Sequence, residues 1–518
     1  MNMERGLKRF SFIPLLVILV MLIGSVAWSL TAARVAFAAE TDDIIIYDEV
    51  MRGGIQVKKE LPLGKAQGDS KVEGTQFTIA LKEGEPVYVN GDDGERFYAV
   101  GETIFTLTCD ADGNAATGDE VLPYGTYLVT ESRVNKGQKG DGWTDTVVVH
   151  EDKKIVKAKT DVNEMTKLSL YVEKRDSERG MEQGDTTLEG IEYTVYNRSA
   201  APIQYLKNGT KKTIPVDGVV DTMVTDEKGR ASLPEGSLDY GTYEVVETNP
   251  HPDITGYLPQ NPVWSSKNVP LHEPGVMDMV KAGTNNNDPI RGGVKVIKYD
   301  KPTDKPKPQG DGDLAAVYAV YNRSAEPVMI GGIEYPVDSV VLELNADPKT
   351  GVASSAADAL PYGTYEVKEI KPPTGYLLDT KWNYKFSVRA DGHIYSPAEA
   401  DENKNDPIMG GIKVYKKDFD TDTSDAQGNG NFDGIEVSIY NASANSILYK
   451  GKEIAKGALV DTIILNDGYG ATGEAVLPYG TYKLRETKVP EGTGYTLNEL
   501  WNPTVVIHEA GWAVLVEE

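Results

Sequence analysis

Apolar and polar side chains alternate along most of this 518-residue chain. In the segment 238–247, Tyr243, Val245 and Glu247 fall on one face of a strand, and the residues between them fall on the other. Asp-Gly, Thr-Gly and Pro-x-Gly turn signals interrupt these runs, and no apolar stripe of helical period persists for four turns. The pattern predicts short strands, frequent turns and an all-β protein built from sandwich domains.

A ten-residue strand motif recurs four times and sets the domain organisation. It occurs as LPYGTYLVTE at 122–131, LDYGTYEVVE at 238–247, LPYGTYEVKE at 360–369 and LPYGTYKLRE at 477–486. A first strand with a lysine, a Gln-Gly-Asp or Gln-Gly-Asn tripeptide and a single Trp recur in phase with it. We predict four tandem Ig-like or prealbumin-like β-sandwiches in a rod: repeat 1 at 52–166, repeat 2 at 167–290, repeat 3 at 291–408 and repeat 4 at 409–518.

The first 38 residues have the pattern of a secretory signal peptide. Arg5, Lys8 and Arg9 precede a long apolar run, and Ala36-Phe37-Ala38 forms an A-x-A cleavage site. An uncleaved membrane anchor is the alternative, because the apolar run is long enough to span a bilayer. Residues 39–51 form a lead segment before repeat 1. The pattern predicts a secreted protein.

Composition excludes several classes of function. The chain has 79 acidic and 53 basic residues, a net charge of −26, which disfavours binding to nucleic acid. One cysteine, Cys109, and five histidines leave no basis for a metal or cofactor site. The segments 110–114 and 418–422 resemble the start of a calcium loop, but they lack its glycine and its last glutamate, so we predict acidic turns and leave calcium binding open.

Lysine, glutamate and asparagine recur at nearly fixed spacing. Each first-strand lysine lies 70 to 73 residues before the glutamate that ends the YGTY motif. The lysines are Lys59, Lys174, Lys298 and Lys416, and the glutamates are Glu131, Glu247, Glu369 and Glu486. Asn163, Asn287 and Asn405 each lie 11 residues before the next lysine. Exposed cross-strand ion pairs are the simplest interpretation, and such pairs contribute little stability.

These motifs together resemble the collagen-adhesin B-type repeat, which also occurs in the SpaA-like, sortase-assembled pilins of Gram-positive bacteria. The resemblance rests on the K-x-D strand ends, the YGTY-x-x-x-E strand, the PPTGY turn at 372–376 and the Asn-x-Pro ends, and it covers residues 52–518. Repeat 1 departs from the pattern, because Lys58-Lys59-Glu60 replaces K-x-D and Asn163-Glu164-Met165 replaces Asn-x-Pro.

The resemblance implies an intramolecular isopeptide bond in each complete repeat, between a first-strand lysine and a last-strand Asn or Asp, assisted by a buried acid. The implied cross-links are Lys59–Asn163, Lys174–Asn287 and Lys298–Asn405, with Glu131, Glu247 and Glu369 as the assisting acids. The acceptor register stays open, since Asp161, Asn285 and Asn403 lie two residues earlier on the same strand face. Burial favours a neutral, nucleophilic amine and a protonated acid, which fits this chemistry.

Repeat 4 contains Lys416 and its assisting acid Glu486 but no visible acceptor. His150 precedes Asn163 by 13 residues, so the matching His508 would place an acceptor beyond Glu518. We therefore expect Lys416 to be unlinked and the last strand to be incomplete. A fragment of a longer surface protein and an intact protein with an unbonded last domain are both compatible with this.

The sequence therefore predicts a structural or adhesive protein of the Gram-positive cell surface, a stalk or pilin-like rod, and not an enzyme. Sortase and peptidoglycan are the expected attachment partners, and the chain is expected to be a monomer or a pilus-like polymer. The alternative is a ligand-binding adhesin in which one repeat recognises a host matrix protein or a glycan. A hydrolase would need a unique, unrepeated cluster of acid, base or nucleophile, and the sequence contains none.

Overall fold

The computed structural model describes residues 46–271 and 279–515. The predicted signal peptide and residues 39–45 of the lead segment lie outside these ranges, and residues 46–51 form no strand. Across the described ranges, no helix is long and apolar enough to cross a membrane.

Nearly all regular structure in the described residues is β strand, which confirms the predicted fold class. The exceptions are the one-turn helix α1 (Pro252–Thr255) and a 3-10 turn (Glu399–Asp401). Helix α1 starts at a proline, whose missing N–H costs nothing in the first turn. It stops at Gly256, which has a φ of 77°.

The strands of repeats 1 and 2 are short, as the frequent turns predict. In repeat 1 they are β1 (Arg52–Glu60), β2 (Ala66–Gln67), β3 (Ser70–Lys71), β4 (Gln76–Glu83), β5 (Val87–Gly91), β6 (Gly94–Tyr98), β7 (Thr103–Thr108), β8 (Asn114–Ala116), β9 (Leu122–Pro123), β10 (Gly125–Arg133), β11 (Gln138–Lys139), β12 (Thr144–Val149), β13 (Ile155–Lys157), β14 (Asp161–Val162) and β15 (Glu164–Met165). In repeat 2 they are β16 (Lys167–Leu168), β17 (Leu170–Asp176), β18 (Glu192–Asn197), β19 (Ile203–Lys207), β20 (Thr210–Ile214), β21 (Val219–Val224), β22 (Arg230–Ser232), β23 (Leu238–Asp239), β24 (Gly241–Asn249), β25 (Ser265–Leu271) and β26 (Val280–Asn287).

Repeats 3 and 4 follow the same succession. In repeat 3 the strands are β27 (Arg291–Asp300), β28 (Val317–Asn322), β29 (Val328–Ile330), β30 (Ile333–Tyr335), β31 (Val340–Asn345), β32 (Val352–Ser354), β33 (Leu360–Pro361), β34 (Gly363–Lys371), β35 (Asn383–Val388), β36 (Ile394–Tyr395) and β37 (Asn403–Asn405). In repeat 4 they are β38 (Met409–Gly411), β39 (Lys413–Tyr415), β40 (Glu436–Asn441), β41 (Ile447–Tyr449), β42 (Lys452–Ile454), β43 (Leu459–Ile464), β44 (Tyr469–Ala471), β45 (Leu477–Pro478), β46 (Gly480–Lys488), β47 (Thr504–Ile507), β48 (Gly511–Trp512) and β49 (Val514–Leu515).

Contacts group the chain into two compact units. Of the described residues, the first comprises 46–60, Val72–Val134 and Asp141–Asp161. The second comprises Leu61–Lys71, Asn135–Gly140, 162–271 and 279–515. The second unit thus contains repeats 2 to 4 and three short segments of repeat 1, residues 61–71, 135–140 and 162–166, which carry β2, β3, β11 and β15.

The first unit is a sandwich of two sheets. One sheet has the order β12-β10-β4-β7, and in the other β1 pairs with β8, β9, β14 and the parallel strand β13. Along β1, Ile55, Val57 and Lys59 share the interior face, because alternate residues of a strand point the same way. The strand period that buries the two aliphatic side chains therefore also buries the lysine.

Each repeat of the second unit forms a sandwich of its own with a separate hydrophobic core. In repeats 2 and 3 the first strand, β17 or β27, runs parallel to the last strand, β26 or β37. In repeat 4 the first strand is divided: β38 pairs with β45 and β48, whereas β39 pairs with β44. Among the described strands, none runs along the other edge of β39.

Candidate functional site

A buried lysine and a buried glutamate meet inside each of the first three repeats. Lys59, Lys174 and Lys298 are at most 1% exposed. Each lies on the interior face of its first strand, opposite the glutamate that ends the YGTY strand. A charge taken out of water is costly unless it is paired and hydrogen-bonded, so the environment of each lysine decides what the site can do.

The site in repeat 3 is the most tightly assembled. Lys298 Nζ lies 2.9 Å from Glu369 Oε1, and it also donates to Asn403 Oδ1. Asn403 faces Lys298 directly in the parallel pairing of β27 with β37. Asn405 Nδ2 donates to both carboxylate oxygens of Glu369, at 2.8 and 2.9 Å. The glutamate therefore bridges the lysine and the second asparagine.

Repeat 2 has the same four groups, but here the in-register asparagine contacts the acid. Lys174 Nζ lies 3.0 Å from Glu247 Oε1 and is paired in register with Asn285. Asn285 Nδ2 donates to Glu247 Oε1 at 2.8 Å. Asn287 Nδ2 contacts the same carboxylate at 3.4 Å and donates to Leu258 O at 2.9 Å. Two asparagines, both buried, thus converge on one acid.

Repeat 1 places a carboxylate where repeats 2 and 3 have an amide. Lys59 Nζ lies 2.7 Å from Glu131 Oε1 and 2.6 Å from Asp161 Oδ2. Burial raises the pKa of Asp161 to about 6, against the opposing effect of the hydrogen bond from Lys59. A large fraction of this carboxyl is therefore protonated in mildly acidic solution. Asn163, two residues further on, is also buried.

Burial also acts on the lysines of repeats 2 and 3. Desolvation lowers the pKa of Lys174 and of Lys298 to about 8, although the neighbouring glutamates act in the opposite direction. An ordinary lysine titrates near 10.4. Each amine is therefore deprotonated, and nucleophilic, in a much larger fraction of molecules near neutral pH than an exposed lysine would be.

Repeat 4 brings the lysine and the acid together in an open site. Lys416 Nζ lies 2.6 Å from Glu486 Oε1, but the Lys416 side chain is 21% exposed. The pair lines a cleft of about 1760 Å³ between β39 and the loop 489–501. The lysine and acid of repeat 4, for which the sequence predicts no acceptor, thus form a pair in an open cleft along the edge of β39.

The geometry favours one of the two acceptor registers. Asn285 and Asn403 lie in register with the lysines, whereas the expected acceptors Asn287 and Asn405 do not. Asn287, Asn405 and also Asn285 contact the acid. Two residues along a strand span about 6.6 Å, so the two positions share a face but only one is in register with the lysine. Asp161 has the corresponding place beside Lys59.

An aromatic ring completes each of the three buried sites, and the sequence analysis did not identify it. Tyr318 OH donates to Asn403 Oδ1 at 3.1 Å, and Asn285 Nδ2 donates to Tyr193 OH at 2.8 Å. In repeat 1 the ring is Phe77. The Trp of each repeat packs edge-on against this ring, with centroids 5.5 to 5.7 Å apart. A tyrosine four residues before the Asn of the Tyr-Asn strand end was the available signal.

One family model matches part of this chain, and several solved structures align with it at low sequence identity and low TM-score. A model of the SpaA prealbumin-like fold domain matches residues 170–264 and 338–404, in repeats 2 and 3. The TIE protein of Bacillus anthracis is 19% identical and aligns over 90% of this chain and 74% of its own, with a TM-score of 0.43. BcpA, the major pilin subunit of Bacillus cereus, is 15% identical over 69% of this chain and 99% of its own, with a TM-score of 0.24. The major pilin SpaD from Corynebacterium diphtheriae is 14% identical over 69% of this chain and 98% of its own, with a TM-score of 0.20. No curated protein matches.

Proposed function

We propose that this chain, in which a SpaA prealbumin-like domain model matches residues 170–264 and 338–404, is a structural protein of the Gram-positive cell surface that is stabilised by intramolecular isopeptide bonds. The proposed bonds join Lys59 to Asp161, Lys174 to Asn285 and Lys298 to Asn403. Glu131, Glu247 and Glu369 assist their formation. The observation that carries the proposal is the contact of a buried lysine with a buried acid in three successive repeats, each with an Asn or Asp beside the lysine. Asp161 and Asn403 contact the lysine, and Asn285 and Asn403 face it in register.

The reaction in repeat 3 balances without any cofactor. The neutral Lys298 amine attacks the side-chain carbonyl carbon of Asn403, and Tyr318 OH donates to the oxygen on which negative charge develops. Glu369 accepts a proton from the attacking nitrogen and delivers it to the leaving amide nitrogen. One C–N bond forms, one C–N bond breaks, and ammonia leaves. Fixed contact between the groups supplies the effective concentration.

Repeat 1 differs in its leaving group. The acceptor is the carboxyl of Asp161, so formation of the amide with Lys59 releases water in place of ammonia. The reaction needs the protonated carboxyl, and the raised pKa of Asp161 supplies that form. Glu131, 2.7 Å from Lys59 Nζ, has the same place as the acids of the other two repeats.

The bonds suit a protein that bears tension. Each would join the first strand of a sandwich to the last strand, across a pairing that is parallel in repeats 2 and 3. Force applied to the two ends of the domain would then pass through covalent bonds in place of hydrogen bonds. A stalk or pilin-like role on the cell wall follows from this property.

Intact-mass measurement of the purified chain tests the proposal. We expect a mass below the sequence mass by two molecules of ammonia and one of water. Fragmentation of linked peptides should place the branches at Lys59, Lys174 and Lys298. A chain that has its full sequence mass would contradict the proposal.

The same measurement decides the acceptor register. Replacing Asn403 by Ala should restore exactly the ammonia of repeat 3, because Asn403 faces Lys298. Replacing Asn405 by Ala should leave the bond in place and slow its formation, because Asn405 contacts only the acid among these groups. The opposite result would assign the bond to Asn405.

The unlinked lysine of repeat 2 should make stability depend on pH. In an Asn285→Ala variant, Lys174 stays a free amine, and its folded pKa, about 8 in the structure with Asn285, lies below its unfolded value. The unfolded state then binds more protons between these two values, so the free energy of unfolding should rise with pH above 8, by up to about 3 kcal/mol. Calorimetry of the repeat 2 transition between pH 7.5 and 10 measures this.

Two controls accompany the pH series. The double variant Lys174→Met with Asn285→Ala lacks the titrating amine and should lose the rise. The wild-type domain should lack it as well, because an amide nitrogen does not titrate in this range. An identical pH dependence in all three proteins would refute the assigned role of Lys174.

A further inference from the structure

The Gln-Gly-Asp tripeptides link each of the first three repeats to the next repeat. We call the segments 67–69, 183–185 and 309–311 clasps. The surface that each clasp contacts, the receiving face, consists of the start of the YGTY strand and the turn after the Tyr-Asn strand. The repeat 1 clasp and its receiving face in repeat 2 both belong to the second compact unit. None of these contacts involves the lysine or glutamate of the isopeptide sites.

The clasp at 183–185 shows the pattern of bonds. Gly184 N donates to Pro327 O at 3.1 Å. The Asp185 carboxylate accepts one hydrogen bond from Ala325 N at 3.0 Å and another from Thr364 Oγ1 at 2.6 Å. The carboxylate therefore satisfies both a backbone donor and a hydroxyl of the next repeat.

The other two clasps repeat these bonds. Asp69 accepts from Ala200 N and Thr242 Oγ1, at 2.8 and 2.6 Å. Asp311 accepts from Ala444 N and Thr481 Oγ1, at 2.7 and 2.6 Å. Ala200, Ala325 and Ala444 each follow an Asn-x-Ser triplet that forms a turn, in which the Asn side chain accepts from the Ser backbone N–H. These triplets match the glycosylation sequon, yet their asparagines are buried.

The central glycine permits close approach of two backbones. Gly184 has a φ of 60°, and a Cβ there would lie 2.1 Å from Tyr362 O. The ring of Tyr362 in turn covers Gly256 of the preceding repeat, where a Cβ would lie 2.6 Å from it. Tyr240 and Tyr362, the receiving tyrosines of repeats 2 and 3, are each only 5% exposed.

In repeat 4 the corresponding tripeptide, Gln427–Asn429, has the conformation of the other clasps, but the described residues contain no receiving face for it. Gln427, Gly428 and Asn429 are all exposed, whereas Gln and Gly of the other three clasps are buried. Gly428 has a φ of 58°, close to the 60 to 62° of the other clasp glycines. Gln427 is held by Asp418 at 2.6 Å, as Gln309 is held by Asp300 at 2.7 Å. The loop thus already has its bound conformation.

Repeat 1 has a receiving face that is exposed and altered. Tyr124, the first tyrosine of its YGTY strand, is 58% exposed. Leu81 faces Tyr127 as Asn197 faces Tyr243, so the turn 83–86 corresponds to the Ser-Ala turn of repeat 2. Glu83 and Glu85, both exposed, lie at the places of Ser199 and Ala201 of repeat 2. In repeat 3 the second place is Glu326, so Glu83 is the carboxylate that no other receiving turn has.

The two altered surfaces are complementary in charge. Repeat 4 is the repeat whose clasp has Asn429 where the others have Asp, and repeat 1 is the repeat whose receiving turn has two carboxylates, where repeat 3 has one and repeats 2 and 4 have none. An aspartate there would face like charges, which is unfavourable, whereas an amide can donate to a carboxylate and still accept from Thr126. We propose that the repeat 4 clasp, Gln427–Asn429, docks on the repeat 1 receiving face of a second copy of this chain.

Such a contact joins two different surfaces of the molecule. In a heterologous contact of this kind, a dimer still has one free copy of each surface, so further copies can add to it. Open, head-to-tail oligomers therefore form unless the rotation closes a ring. Tyr124 of the second copy would cover Gly494, the glycine that corresponds to Gly256 and Gly375 of the internal junctions.

Paired cysteines in the full chain test the contact. The variant Asn429→Cys with Glu85→Cys should form a ladder of disulfide-linked multimers under mild oxidation. The matched internal pair, Asp185→Cys with Glu326→Cys, should form its disulfide within one chain. The pair Asn429→Cys with Lys212→Cys, whose second position is an exposed site of repeat 2, should form no ladder. A ladder missing from the first variant, or equal in the third, would overturn the proposal.

Charge reversal gives a second test without cysteines. In sedimentation of the full chain, Asn429→Asp should weaken self-association by about tenfold, because the new carboxylate meets Glu83 and Glu85. Adding Glu83→Gln and Glu85→Gln should restore it. Self-association that is absent at all concentrations, or unchanged by Asn429→Asp, would assign the clasp to a different occupant and contradict the contact between copies.

Discussion

A Glu369→Ala variant should retain the ammonia of repeat 3 and should unfold that repeat at a much lower temperature. Glu369 contacts both Lys298 and Asn405, so its removal takes away the proton carrier and the partner of a buried ammonium. The lost cross-link would have closed a loop of 105 residues between Lys298 and Asn403. A loop of that length restricts the unfolded chain by about 4 to 5 kcal/mol in the loop-entropy description. The unpaired buried charge adds about 3 to 5 kcal/mol.

Mass and calorimetry on the same sample measure both effects. The matched control is Glu486→Ala, which removes the equivalent acid from repeat 4, where no acceptor lies beside Lys416 in the described residues. That control should leave the mass deficit of the chain unchanged. If Glu369→Ala kept the full deficit, the acid would have no part in bond formation, and the buried glutamate would be a structural ion pair.

The strand content and the interior lysines could be predicted from the sequence because both follow from a period of two. In β1, Ile55 and Val57 fix the buried face, and Lys59 lies on it two residues later. The recurrence of this pattern, with a glutamate at a constant spacing, identified the pairs Lys59–Glu131, Lys174–Glu247 and Lys298–Glu369 before any coordinates.

The acceptor register could not be predicted in the same way. Asn285 and Asn287 lie on one strand face, and alternation alone does not distinguish them. Their position relative to Lys174 depends on how β26 aligns with β17, and that pairing contains a register shift between Tyr171 and Val172. A local irregularity of this kind has no signature in the sequence.

The contacts of the clasps could not be predicted from the sequence, for a different reason. Each Gln-Gly-Asp was visible as a repeated tripeptide, but its partners lie 131, 140 and 133 residues further along the chain, in the next repeat. The alanine N–H that follows each Asn-x-Ser triplet binds a carboxylate of the preceding repeat. This contact depends on the packing of one domain on another, which no local sequence pattern encodes.

Repeat 4 should be the first domain of the 518-residue chain to unfold under force. Its Lys416–Glu486 pair is open to solvent, and none of the strands in the described ranges lies along that edge of β39. The Lys416 side chain is 21% exposed although Glu486 is buried, and no acceptor in the described residues lies beside the lysine to link the first strand covalently to the last. In repeats 1 to 3 the proposed bonds prevent extension between the linked residues.

Single-molecule stretching of the full chain checks this expectation. One early event should release about the length of one repeat, and the three linked repeats should then resist extension. A Lys298→Ala variant provides the comparison, because repeat 3 without its lysine should yield as repeat 4 does and add a second event of similar length. Limited proteolysis should begin after about residue 416, where the strand edge is open. Repeat 4 could instead resist force as well as repeat 3 does. In that case either an acceptor for Lys416 lies in the chain, or the lysine–acid pairs alone hold these domains together. The mass deficit of the chain distinguishes these two explanations.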